Sequence, residues 1–177
     1  MHRLFVAIRP PEPIRDLLVD AMDDSADFRW QDDGQLHLTL RFVGEVDRHV
    51  ATDLTDALGR VRAAAFPARI KGIGSFDHRA AGALWAGVEP KEPLAALAAK
   101  VERVCQNVGL EPERRAFHPH ITLARWKGRR TRELADFLDR RRSLVSEPFN
   151  VDRFVLFESR LSRHGAHYEE VASYPLG

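Results

Sequence analysis

The chain has 177 residues, 44% hydrophobic and 30% charged, a balance that suits one folded domain with a sizeable core and excludes a disordered chain. Its 27 basic and 26 acidic residues leave a net charge of +1, so nothing global drives it toward nucleic acid and any anion site must be local. Cys105 is the single cysteine, which excludes an intramolecular disulfide and a thiolate-cluster metal site; with no apolar run long enough for a secretory signal or a membrane span, a monomer in a reducing cytoplasm is expected.

Leu4 to Ile8 is an apolar run closed by Arg9-Pro10-Pro11, the pattern of a buried strand followed by a helix start. Ile14, Leu17, Leu18 and Ala21 then recur at helical spacing. Phe28 to Gln31 suggests a short strand, and Asp32-Asp33-Gly34 a turn. The strand that follows His37 is expected to reach Val43 and stop at Gly44. Val50, Leu54, Ala57, Leu58 and Val61 mark a second amphipathic helix with Asp47 as its N-cap.

Phe66 to Phe76 reads as a strand in which Gly72 and Gly74 signal a bulge or a close backbone approach, and Leu84 to Val88 as another. Leu94, Leu97, Ala98, Val101, Val104, Cys105 and Val108 form one helical stripe that Gly109 ends, which makes Cys105 a packing residue. A strand from His118 to Trp126, a helix capped by Thr131 through Leu138, and two strands, Phe149 to Leu161 and Tyr168 to Tyr174, complete the chain. No linker or low-complexity tract divides it, so residues 1–177 are expected to form one domain.

Two stretches repeat. His37-Leu38-Thr39-Leu40-Arg41-Phe42 recurs as His120-Ile121-Thr122-Leu123-Ala124-Arg125. On a strand, each copy turns its His and Thr to one face and its aliphatic residues to the other. The repeat predicts an α+β fold of two similar lobes with facing sheets and a cleft between them. Both histidines would then face the cleft.

Paired imidazoles can act as general base and general acid in phosphoryl chemistry without a metal, provided hydrogen-bond donors surround the phosphate oxygens. Thr39 and Thr122 can supply hydroxyls. The fifth position after the His diverges, to Phe42 in one copy, an apolar surface for a base or sugar, and to Arg125 in the other, a guanidinium for phosphate. An ideal strand turns that position away from the His, so each assignment needs a bulge or an early strand end.

These residues resemble the signature of the two-histidine phosphoesterases, specifically the RNA 2′,3′-cyclic phosphodiesterases also called 2′-5′ RNA ligases. The resemblance extends to Arg3-Leu4-Phe5-Val6-Ala7-Ile8 as an opening strand, to Phe117-His118-Pro119-His120 before the second motif, and to a closing hairpin with Ser159, Leu161, Gly165 and Tyr168. It implies a bilobal fold with two antiparallel sheets lining a central cleft and helices packed outside, no cofactor or metal, and hydrolysis of a 2′,3′-cyclic phosphate to a 2′-phosphomonoester. The partners it implies are RNA with cyclic phosphate ends or small cyclic nucleotides, and in some members 2′-5′ RNA joining is implied as well. His37 and His120 would be catalytic, and Thr39, Thr122 and Arg125 would hold phosphate. Near-symmetry leaves base and acid open, with His120 as base and His37 as acid for a working assignment.

Plainer readings stand beside these. Thr suits any strand, and the His118-Pro119-His120 run invites a metal but lacks acidic or cysteine partners. His2, His49, His78, His164 and His167 suit solvated positions, and Trp30, Trp85 and Trp126 suit the core or a lobe edge. Arg129, Arg130, Arg132 and Arg140 to Arg142 suit a solvated helix end, or a local phosphate track. The competing class is a module that binds RNA ends or nucleotides without turnover. Within the enzyme class, ADP-ribose cyclic phosphate and 2′-5′ oligoadenylates remain open as substrates.

Overall fold

The computed structural model describes residues 1–129 and 131–177. In chain order the elements are β1 (His2–Ile8), α1 (Glu12–Ala21), β2 (Arg29–Trp30), a 3₁₀ turn (Asp33–Gln35), β3 (Leu38–Val46), α2 (Arg48–Leu58), β4 (Phe66–Asp77) and β5 (Ala81–Glu89). There follow α3 (Lys91–Asn107), β6 (His120–Lys127), α4 (Arg132–Arg141), β7 (Phe149–Val151), β8 (Arg153–Ser162) and β9 (Gly165–Pro175). The fold is α+β. The two expected sheets are halves of one continuous antiparallel sheet in the order β7-β4-β5-β6-β3-β1-β8-β9, with β2 on the edge of β6. A single pair, Leu38 with Ile121, joins β3 to β6 between the halves.

Local rules set the element ends. Asp47 accepts from the amide of Val50 at 2.9 Å and Thr131 from that of Leu134 at 3.3 Å, so both expected N-caps start their helices. Asp32 caps the 3₁₀ turn by accepting from Gln35 N, while the Gln35 side chain accepts in return from Asp32 N, both at 3.0 Å.

Three of the boundaries that differ from expectation shape the sheet. Gly44 does not end β3: its φ of +86° lets the strand absorb an irregularity and continue to Val46. The strand expected over 149–161 is two, because the chain leaves β4 after Val151, pairs with β9 from Arg153 on and joins β1 from Val155. The second His strand begins at His120, not His118.

The apolar run of β1 is buried on both faces. Leu4, Val6 and Ile8 join the main core with the helix stripes, whereas Phe5 and Ala7 form a second small cluster with Val155 and Phe157, against which Tyr168 packs. Cys105 is fully buried in the main core, and burial pushes its thiol up to about 11, which fits packing and leaves no thiolate at neutral pH. Leu38 and Ile121, each 2% exposed or less, lock the junction into that core. Because their side chains go inward, the residues next to them on either strand turn outward, toward the cleft.

Candidate active site

Continuing the Leu38–Ile121 register sets His37 across from Thr122 and Thr39 across from His120. The two motifs therefore meet head to head, and all four side chains line one cleft of about 580 Å³. Phe42 and Arg125 line it too. The register shows how a fifth residue shares the face of its His. Between β1 and β3 the pairs run Ala7 with Thr39 and then Val6 with Arg41, passing over Leu40. Between β5 and β6 they run Trp85 with Thr122 and then Leu84 with Ala124, passing over Leu123. Each strand thus carries one extra residue at the third position after its His, and that bulge returns Phe42 and Arg125 to the cleft.

Backbone carbonyls aim both rings. His37 Nδ1 lies 2.7 Å from the carbonyl of Gln35, and His120 Nδ1 lies 2.6 Å from that of His118. A carbonyl only accepts, so Nδ1 carries the proton in each ring and Nε2 of the neutral imidazole is left with its lone pair toward the cleft. In both copies the carbonyl belongs to the second residue before the His.

The surroundings differ. His37 lies 4.7 Å from Phe5 and edge-on at 5.3 Å to Tyr168, ring centroid to centroid. Burial pulls its pKa down to about 4, against the opposing pull of the Gln35 carbonyl, and the charges of His120, Arg125 and Arg9 push the same way as burial. His120 packs among Phe76 at 5.1 Å, His118 at 5.5 Å and Trp85 at 6.1 Å. Its pKa is also lowered, by burial first and then by the charges of His118 and Arg125. Trp85 can lie there because a Cβ on the facing Gly74 would sit 2.4 Å from its ring.

Tyr168 lines the cleft, and burial raises its phenol pKa. Gln35 ties the wall together by donating from Nε2 to the Ala166 carbonyl at 2.9 Å. No site role for Phe5, Arg3, Arg29 or Gln35 was legible in the sequence, yet all four line the cleft. Their signal is tertiary: Arg29, for example, reaches the cleft only because β2 pairs with β6.

Several other expectations resolve here. His164 is exposed and lines the cleft, His167 lines an adjoining groove, and His2, expected in solvent, pairs with Glu158 at 2.9 Å. Trp126 is core, whereas Trp30 and Trp85 are half-buried beside the site. Arg140, Arg141 and Arg142 bond Asp23, the Ala21 carbonyl and Asp139, and none of the three lines the cleft. Arg129 and Arg132 do not line it either, and Arg130 lies outside the described residues. No described helix is long and apolar enough to cross a membrane, and no cluster of three or more His, Cys, Asp or Glu suited to a metal ion occurs among the described residues.

Comparison with known proteins gives the family. The profile of the 2'-5' RNA ligase superfamily matches residues 10–163. A curated RNA 2',3'-cyclic phosphodiesterase from Aeropyrum pernix is 33% identical over 141 residues, covering 78% of this chain and 80% of its own. One from Thermus thermophilus is 33% identical over 186 residues, covering 98% and 90%. The crystal structure of E. coli LigT complexed with 3'-AMP superposes with a TM-score of 0.82 at 26% identity, covering 99% of this chain and 98% of that one. The match spans both His strands and nearly every element around them, and on that ground the chain belongs to the 2'-5' RNA ligase superfamily.

Proposed function

We propose that the chain, like its curated relatives, is an RNA 2′,3′-cyclic phosphodiesterase that opens the ring to a 2′-phosphomonoester. The observation that carries this reading is the head-to-head junction, which sets two Nε2 atoms and two threonine hydroxyls around one space. A cyclic phosphate there has an imidazole on either side. One His takes a proton from water, the resulting hydroxide attacks phosphorus, the P–O3′ bond breaks, and the other His protonates O3′. Thr39 and Thr122 donate to the non-bridging oxygens, and Arg125 supplies the balancing charge. A 5′-hydroxyl in place of water would give a 2′-5′ diester by the same steps.

Both histidines are neutral in the free protein, which suits a base and leaves the acid to be loaded. The bound phosphate anion supplies that: a negative charge beside an imidazole raises its pKa. The deeper burial of His37 opposes the working assignment of His37 as acid, because its pKa has farther to climb. His120, held less far from solvent, loads a proton more readily, so the roles His37 as base and His120 as acid have the electrostatics in their favour.

The experiment is direct: with chelator present, nucleoside 2′,3′-cyclic phosphates and an RNA ending in one are incubated with the protein, and the monoester is identified by phosphorus NMR. The expected product is the 2′-monoester. A 3′-monoester, or binding without turnover, overturns the reading.

A further inference from the structure

Arg29 and Arg125 are directly opposite one another on paired strands, and both are exposed on the cleft. Like charges at such a position repel, with Cβ atoms about 5 Å apart, and sheets ordinarily avoid them. Neither guanidinium makes a hydrogen bond or ion pair among the described residues. The nearby carboxylate that lines the same wall, Asp32, is committed to capping the turn at Gln35. Two uncompensated cations side by side on one wall of the cleft make a place that an anion would relieve.

The two differ in what they reach. Arg125 follows His120 and Thr122 on the same face of β6, and its charge depresses both histidines. Arg29 stands one strand farther out, on the sheet edge made by the two-residue β2. A cyclic phosphate between the histidines lies beside Arg125, on the strand of His120, and one strand spacing farther from Arg29. What remains for Arg29 is a second anion, one strand spacing away.

We infer that Arg29 holds the internucleotide phosphodiester immediately upstream of the cyclic end, so the cleft is built for an RNA terminus of two or more nucleotides and not for a mononucleotide. This rests on the cyclic phosphodiesterase reading. Arg125 then serves the reacting phosphate and Arg29 the next one, and the repulsion between them is relieved only when both phosphates are in place.

The test compares a nucleoside 2′,3′-cyclic phosphate with a dinucleotide ending in the same group, by kcat/KM. The wild-type protein should favour the dinucleotide by about tenfold, the scale of one charge-assisted contact to phosphate. Arg29→Ala should collapse that ratio toward one, Arg29→Lys should restore part of it, and the slope of log kcat/KM against log salt for the dinucleotide should fall by about 0.7 in the alanine variant. A dinucleotide with an uncharged methylphosphonate linkage should lose the advantage on the wild-type protein, which tests the contact without altering the fold. An unchanged ratio in Arg29→Ala, or an equal loss on both substrates, overturns the inference. Turnover of neither substrate by the wild-type protein would instead overturn the reading on which it rests.

Discussion

His37 and His120 are oriented by the same device and charged by different ones. Each sits immediately before the first inward residue of its strand, and each donates a hydrogen bond from Nδ1–H to the carbonyl two residues back. Yet His37 is wedged between Phe5 and Tyr168, which hold it near the dry cluster beneath β1 and β8, while His120 stands among Phe76, Trp85 and His118 at a more open edge. Backbone geometry, which the repeat preserves, aims the rings. The flanking side chains, which it does not preserve, decide how readily each takes a proton.

The largest effect expected from breaking this pairing is loss of turnover. His37→Ala and His120→Ala should each lower kcat by about 10³-fold, within the range for a positioned acid or base, with circular dichroism unchanged. Removing both should cost little more than removing one, since a single proton-transfer chain needs both ends. Activity within tenfold of wild type in either variant would dissolve the pairing.

The next effect reads the difference in burial. The unfolded-state pKa of a histidine is about 6.5, and His37 is held near 4 when folded. Between those values the unfolded chain binds more protons, so stability is present above pH 6.5 and is lost as pH falls toward 4. His37 alone accounts for about 3 kcal/mol of that loss, and His120 adds in the same direction. Urea unfolding at pH 7 and pH 4.5 should therefore show a smaller difference for His37→Gln than for wild type. Equal differences would show that His37 is not depressed.

The smallest effect belongs to the far end of the first motif. Phe42 is 41% exposed, and the Arg3 guanidinium lies 5.5 Å from its ring centre. Phe42→Ala should raise KM about fivefold, roughly one kcal/mol of lost stacking, and leave kcat within twofold. A fall in kcat like that of the His variants would move Phe42 from the substrate wall into the reacting group.

Much of this was legible in the chain. The order of helices and strands follows from apolar periodicity, and the caps at Asp47 and Thr131 follow from a hydroxyl or carboxylate placed three residues before the amide it accepts from. The face shared by His37 and Thr39, and by His120 and Thr122, follows from strand alternation. Where alternation alone was used, the fifth positions came out on the wrong face, because the extra residues at Leu40 and Leu123 leave no mark in a hydrophobic pattern. Gly44 looked like a strand end for the complementary reason: a glycine marks a break in regular geometry, and only the neighbouring strand shows whether pairing resumes.

The sequence by itself determined the two half-sites, since a His and a Thr on one strand face need nothing beyond the two-residue period of a strand. Only the tertiary structure decided that the halves meet at Leu38 and Ile121, that Phe5 and Tyr168 dry His37, and that Arg29 comes to face Arg125. Those pairings join residues far apart in the chain, and their energy comes from burial and register, which no local pattern encodes.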